Sequence, residues 1–289
     1  MSLEQVAAIA AGLRAAPKGL GLAERRAGFE ARAAGTPLPE EARFEPISFA
    51  PGLTGLRVSL PQSDPGRVLL WFHGGAFVLG SSASWRRFAC DVAAAAGVTV
   101  LLPDYRLAPE HPFPAAHEDA LAACAWLDAQ GHPPAMRAVG GDSAGANLAL
   151  GALAARAGAP GFAAAWFVSP YVDLTNSGAS IVGRRARDPF VDPADGTNAR
   201  WLAGADAHDP RASPLFADLS HLPPALVQVG SEEALFDDAR RLADKLSDAV
   251  FQEWVGMPHV FPLFAPRLEE GDAAIRQGGA FLRIALGRA

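Results

Sequence analysis

Met136-Arg137-Ala138-Val139-Gly140-Gly141-Asp142-Ser143-Ala144-Gly145 compresses a strand signal, a tight turn and a helix start into one short stretch. Residues 136–140 are a strand-like apolar run, and 144–156 are rich in Ala and Leu at helical spacing. Between them, Gly141-Asp142-Ser143-Ala144-Gly145 is a G-x-S-x-G motif. A sharp strand-to-helix turn pushes its central serine into a strained, exposed position, and the flanking glycines let neighbouring backbone pass. The helix N-terminus then aims amide dipoles at negative charge developing beside that serine. At about 10% Gly and 5% Ser the bare motif arises by chance roughly 0.15 times in such a chain. Its weight comes from its place between a strand and a helix.

Outward from this turn the same alternation continues. Residues 67–72 (RVLLWF), 98–102 (VTVLL), 163–168 (AAAWFV) and 225–229 (ALVQV) are short and nearly continuous in apolar residues. Continuous rather than alternating hydrophobicity predicts strands buried on both faces, as in a parallel sheet. Helices are expected at about 84–96, 115–130 and 236–247, a further strand at 251–255 and a closing helix at 271–286. The fold class is α/β, a mostly parallel central sheet with helices on both faces. Two regions depart from the alternation. Residues 1–45 read as amphipathic helices (3–13 and 22–34) ending in the turn-rich Gly35-Thr36-Pro37-Leu38-Pro39, and 176–212 are polar and punctuated by Pro and Gly. Both are expected to fold over the active edge of a catalytic domain spanning 46–289, because ligands bind beyond the C-terminal ends of parallel strands.

Composition narrows the class. The chain has 289 residues, 50% hydrophobic and 19% charged, enough apolar material for a large core. Net charge is −6, with Lys and Arg dispersed, which argues against nucleic acid or an anionic membrane as partner. The longest apolar run, 92–102, is about 11 residues, too short to span a bilayer. Cys90 and Cys124 each sit among alanines and read as small buried hydrophobes rather than a disulfide. With no charged-then-apolar leader pattern at the N-terminus, a reducing, cytoplasmic setting is expected.

A serine hydroxyl is a poor nucleophile until a base can take its proton. His111 and His117 precede the turn, His132 borders a Pro-Pro turn, and His208 and His221 fall before the last strands. His259, in Gly256-Met257-Pro258-His259, follows the last strand and is the expected base in the order Ser, acid, His. The acid belongs in the loop after 225–229, which holds Glu232, Glu233, Asp237 and Asp238. The two aspartates open the next helix, where acids often only complement the dipole; Glu232 and Glu233 are not separable locally. His73-Gly74-Gly75-Ala76-Phe77 follows the strand 67–72. Its bare amides, those of Gly74 and Gly75 with that of Ala144, would cradle an oxyanion, and His73 would fix the loop.

These features resemble the bacterial hormone-sensitive-lipase-like esterases of the α/β-hydrolase superfamily, in the subgroup with a GDSAG elbow. HGGAF is similar to that family's HGGGF motif, and Asp104-Tyr105-Arg106-Leu107-Ala108-Pro109-Glu110-His111-Pro112-Phe113-Pro114-Ala115 to its D-Y-R-L-A-P-E stretch. Leu222-Pro223-Pro224-Ala225 and the late Gly-x-x-His agree as well. The resemblance implies hydrolysis of short- to medium-chain carboxylic esters without a cofactor or metal, and a helical cap built from 1–45 and part of 176–212. It places the acid at Glu233, where Asp is commoner in the family, and it takes the oxyanion amides from the first two glycines, so that Ala76 in place of the third is tolerated. Phe77, Trp85 and Trp201 are expected to shape the pocket, Asp104 and Glu110 to tie down their loop, and an edge strand offers a route to a homodimer. Rival readings are an arylformamidase- or amidase-type enzyme on the same triad and a non-catalytic relative that binds a small ligand.

Overall fold

A computed structural model describes residues 2–15, 19–159, 161–189 and 196–287. Eight strands form one sheet: β1 (Arg43–Ala50), β2 (Leu53–Ser59), β3 (Asp64–Phe72), β4 (Val98–Pro103), β5 (Arg137–Asp142), β6 (Ala164–Val168), β7 (Ala225–Gly230) and β8 (Ala249–Trp254), in the spatial order β1-β2-β4-β3-β5-β6-β7-β8. From β4 through β8 every neighbouring pair is parallel. β1 pairs with β2, and β2 with β4, in antiparallel sense.

The continuous apolar runs are explained by a core on each face. Along β3, Val68, Leu70 and Phe72 join one cluster and Leu69 and Trp71 the other. β6 divides likewise, Ala165 and Phe167 against Ala164, Trp166 and Val168. Residues of α3 (Arg86–Ala96) and α9 (Glu269–Ala285) pack in the second cluster. Those of α4 (Ala115–Ala129), α5 (Ala144–Ala154) and α8 (Phe236–Lys245) pack in the first. Every residue of α5 except the last, Ala154, is buried, making it the central helix of the domain. Cys90 and Cys124 are buried free thiols, their pKa values pushed by desolvation up to about 11 and about 12.

The antiparallel β1–β2 pair is absent from the sequence reading, for a physical reason. Arg43-Phe-Glu-Pro-Ile-Ser-Phe-Ala alternates polar and apolar residues and contains Pro46, as a half-exposed edge strand does. β1 also starts at Arg43, so the sheet takes in the last residues of the 1–45 segment. Before it, α1 (Leu3–Arg14) and α2 (Leu22–Ala34) occupy the expected helical positions. The 176–212 segment holds only two short helices among its described residues, α6 (Ala179–Gly183) and α7 (Thr197–Leu202). Among the described residues no helix is long and apolar enough to cross a membrane.

The chain leaves β3 to one side to make β4, then returns to make β5 on the other side. The strand order therefore reverses at β3, and the loops after β3 and β5 splay apart there, the place where α/β sheets bind ligands. α5 reaches that point only because residue 145 lacks a side chain. A Cβ on Gly145 would lie 1.9 Å from the Phe72 carbonyl oxygen and 2.5 Å from that of His73. Both are backbone atoms and cannot give. Gly145→Ala is expected to cost about 3 kcal/mol, a fall of roughly 10 °C in Tm by calorimetry; an unchanged Tm would mean that the helix can slide off the strand.

Candidate active site

Ser143 is the residue between β5 and α5, with φ 53° and ψ −119°. This left-handed region is costly for a residue with a side chain. The turn is held by the Ser143 amide donating to the Val168 carbonyl at 2.9 Å. A Cβ on Gly141 would fall 2.3 Å from the backbone of Gly145, so both glycines of the motif are required by close passage.

His259 follows β8, and its Nε2 lies 3.0 Å from the Ser143 hydroxyl oxygen. Its Nδ1–H donates to Glu233 Oε2 at 2.8 Å. Glu233 is fully buried in the turn after β7, and its other oxygen accepts the Ser169 hydroxyl at 2.7 Å and the Gly230 amide at 2.6 Å. Burial works against a charged imidazole, but the hydrogen bond and negative charge of Glu233 outweigh it, and His259 lies above the ordinary histidine value. Burial likewise raises Glu233, partly offset by its bond to His259.

The other acids of this loop are committed elsewhere. Glu232 accepts from the Ser231 hydroxyl and pairs with Arg187 at 3.2 Å. Asp237 accepts the Ser180 amide at 2.8 Å, and Asp238 the amides of Val172 and Asp173 at 2.9 Å each. None of these hydrogen bonds involves His259. Ser169 is a site residue that no motif announced. Its hydroxyl donates to Glu233 and accepts the Val260 amide at 3.0 Å, tying the acid's turn to the histidine's. The only signal for it was position, at the end of the strand beside β5.

The glycine loop after β3 differs from expectation in one respect. Gly74 is not a free donor: its N–H is given to Asp142 Oδ2 at 3.1 Å. The amides of Gly75, Ala76 and Ala144 have no acceptor among the described residues. Gly75 has φ 109°, and a Cβ there would meet the Leu79 carbonyl oxygen at 2.2 Å, so this position does require glycine. His73 anchors the loop as expected. Its Nδ1 contacts the Gly74 carbonyl at 2.7 Å, its ring stacks on Tyr105 at 4.2 Å, and burial lowers its pKa to about 4. Asp104 accepts the amide and hydroxyl of Ser82 at 2.6 and 3.0 Å. Glu110 is paired with Arg26 at 2.7 Å.

Asp142 is buried and makes no salt bridge among the described residues. Its Oδ1 instead accepts two indole N–H groups, from Trp71 at 3.0 Å and Trp85 at 2.8 Å. Desolvation pushes its pKa up to about 7, against those hydrogen bonds.

A cavity of about 1390 Å³ opens over Ser143 and His259. Phe77 and Trp85 line it, as expected, but Trp201 does not. Trp201 is fully buried behind Phe77, stacked on it with centroids 3.9 Å apart, whereas Asn198 of the same helix, α7, borders the opening. Its influence on the pocket passes through Phe77. The remaining wall comes from α2, including Gly28 and Phe29, from Asn176 and Asn198, and from residues 263–267.

This arrangement has counterparts among known proteins. Residues 69–263 match a family described as having the alpha/beta hydrolase fold. The chain belongs to that family, in its branch of hormone-sensitive-lipase-like esterases. An acetyl-hydrolase of Streptomyces hygroscopicus is 48% identical over 78% of this chain and 79% of its own length. A carboxylesterase of Mycobacterium tuberculosis is 31% identical over 92% and 83% respectively. A crystal structure of an esterase from the bacterial hormone-sensitive lipase family superposes with a TM-score of 0.93, at 39% identity, over 99% of this chain and 98% of that one.

Asp142→Ala would leave two indole N–H groups and the Gly74 amide without their acceptor. At about 1–3 kcal/mol for each buried donor left unmade, Tm should fall sharply and the near-UV circular dichroism of the tryptophans should change. Retention of both would mean that this carboxylate does not hold the loop.

Proposed function

We propose that the chain cleaves short- to medium-chain carboxylic esters through an acyl-enzyme, with Ser143 as nucleophile, His259 as base and Glu233 as its acid partner. The observation that carries this is a single hydrogen-bonded line, Ser143–His259–Glu233, at 3.0 and 2.8 Å, beside three amides that have no acceptor among the described residues. In the first half, His259 Nε2 takes the hydroxyl proton as Ser143 attacks the ester carbonyl. The amides of Gly75, Ala76 and Ala144 stabilise the oxyanion, with Gly74 holding the loop rather than donating. His259 then protonates the departing alcohol, and water repeats the sequence to release the acid. Glu233 holds the imidazole tautomer that presents a lone pair to the serine. We assign α1, α2 and part of 176–212 to a cap over the cavity, the support being that α2, Asn176 and Asn198 line it. The two free thiols fit a reducing cytoplasm. The half-exposed Val250 on edge strand β8 fits pairing with a second copy.

Ser143→Ala or His259→Ala should lower kcat for p-nitrophenyl butyrate by about 10⁴-fold or more while the folded circular dichroism spectrum survives. Full activity in either ends the assignment. An acyl series from acetyl to lauroyl esters should peak at short to medium length, and a formyl-anilide assayed beside it tests the amidase alternative.

Glu233→Gln supplies a pH test. Attack requires neutral His259, and Glu233 raises the pKa of that histidine. Removing the negative charge should lower kcat and move the acid limb of the kcat/KM profile to lower pH. Glu232→Gln and Asp237→Asn should leave the limb in place. A limb that stays put in Glu233→Gln, or moves with Glu232→Gln, assigns the acid elsewhere.

A further inference from the structure

The cavity is larger than a short ester requires. Its volume of about 1390 Å³ exceeds the roughly 300–1,000 Å³ usual for small-molecule sites. Its lining runs from Ser143 and His259 out to α2 and to residues 263–267, and the charge along that lining is unbalanced. Among the described residues it carries two carboxylates, Glu24 and Asp142, against Arg25, Arg32, Arg87 and Arg267. Glu24 is occupied by the Gly21 amide at 2.9 Å. Asp142 is buried beneath its indole and amide donors. Arg87 is paired with Asp91 at 2.9 Å.

Arg32 and Arg267 are different. Both are exposed, and neither guanidinium has an ion pair or hydrogen bond among the described residues. Helical spacing explains how Arg32 comes to line the opening. Arg25, Gly28, Phe29 and Arg32 follow one another at i, i+3, i+4 and i+7, and all four border the cavity. Arg267 lines it from the segment that follows the histidine loop. The chain as a whole has net charge −6, so positive charge here is a local departure from the rest of the molecule. A concave opening lined by one sign of charge draws in ligands of the other sign.

We propose that the preferred substrates are esters bearing an anionic group, a carboxylate or a phosphate, remote from the scissile bond, and that Arg32 and Arg267 attract that group. This rests on the esterase reading of the site and adds the chemical class of its substrate. A plainer account of Arg32 is that it complements the C-terminal dipole of α2. That account leaves Arg267 unexplained and requires no dependence on substrate charge.

The test compares matched esters. On the acyl side, the p-nitrophenyl monoester of adipic acid is set against p-nitrophenyl hexanoate. On the alcohol side, 4-butyryloxybenzoate is set against its methyl ester, with 4-butyryloxyphenyl phosphate to distinguish phosphate from carboxylate. In at least one pair the anionic-to-neutral ratio of kcat/KM should fall about tenfold in Arg32→Ala/Arg267→Ala. It should fall similarly in wild type between about 0.02 M and about 0.5 M salt. Arg32→Lys/Arg267→Lys should keep most of the preference. Ratios equal in wild type and the alanine variant for both pairs overturn the proposal while leaving the esterase reading intact. If no ester at all is turned over, the esterase reading fails, and calorimetric titration of monomethyl adipate into Ser143→Ala decides the charge question. Binding about fivefold or more weaker without the two arginines supports it; equal binding, or none, rejects it.

Discussion

A carboxylate with no exposure to water must be surrounded by donors, and the geometry of this site follows from that requirement at Glu233. Leaving such a charge uncompensated costs several kcal/mol (~3–5). Glu233 meets the demand with the Gly230 amide at the end of β7, the Ser169 hydroxyl just past β6 and the His259 ring from the loop after β8. Three neighbouring strand ends are thereby fastened to one side chain. The imidazole is left a single orientation, with its proton on Nδ1 toward the acid and its lone pair on Nε2 toward Ser143. Ser169 closes the frame by also accepting the Val260 amide, so the histidine loop cannot drift without disturbing the acid.

A second buried carboxylate organises the opposite wall by other means. Asp142 has indole and amide donors where Glu233 has an imidazole. Its partners reach across β3: Trp71 from within the strand, Gly74 from the loop that follows it, and Trp85 from just before α3. The serine turn and the glycine loop are thus held at a fixed separation by the residue beside Ser143. This explains why the Gly74 amide is spent on structure and why the amides with no acceptor among the described residues begin one residue later. It also accounts for the chemistry of Trp85, whose indole both lines the cavity and supports the loop that the substrate would meet.

Much of this was legible in the sequence, and the failures share a cause. The runs that became β3 to β7 were readable because both of their faces are buried, which leaves an unbroken apolar string. β1 and β2 bury only part of their surface, so their alternating residues did not stand out from a loop. The pairing of Ser143 with His259 was legible from local motif and chain order. Glu233 and Glu232 are adjacent in one turn and point to different partners, a distinction that backbone direction makes and composition does not. Gly74 and Trp201 were misassigned for the complementary reason. Each lies where a functional residue would lie, but a neighbour, Asp142 or Phe77, already claims the atom or face in question.

The amphipathic character of α2 shows how far such reading can be carried. No residue of α2 is fully buried, and its apolar residues Leu22 and Phe29 pack only against the margins of the two core clusters. Its faces are divided by helical period. Arg26 and Glu30, one turn apart, fasten it to the domain: Arg26 donates to the Val78 and Ala108 carbonyls and to Glu110, and Glu30 accepts from Ser81 and Ser84. The stripe through Gly28 and Phe29 is left facing the cavity. Val78, Ser81 and Ser84 all lie in the stretch that continues from the glycine loop, so α2, which lines the pocket, grips the same strap that carries the Gly75 and Ala76 amides. α2 is thus bonded to the stretch that continues from the Gly75 and Ala76 loop, while His259 is fastened separately through Glu233.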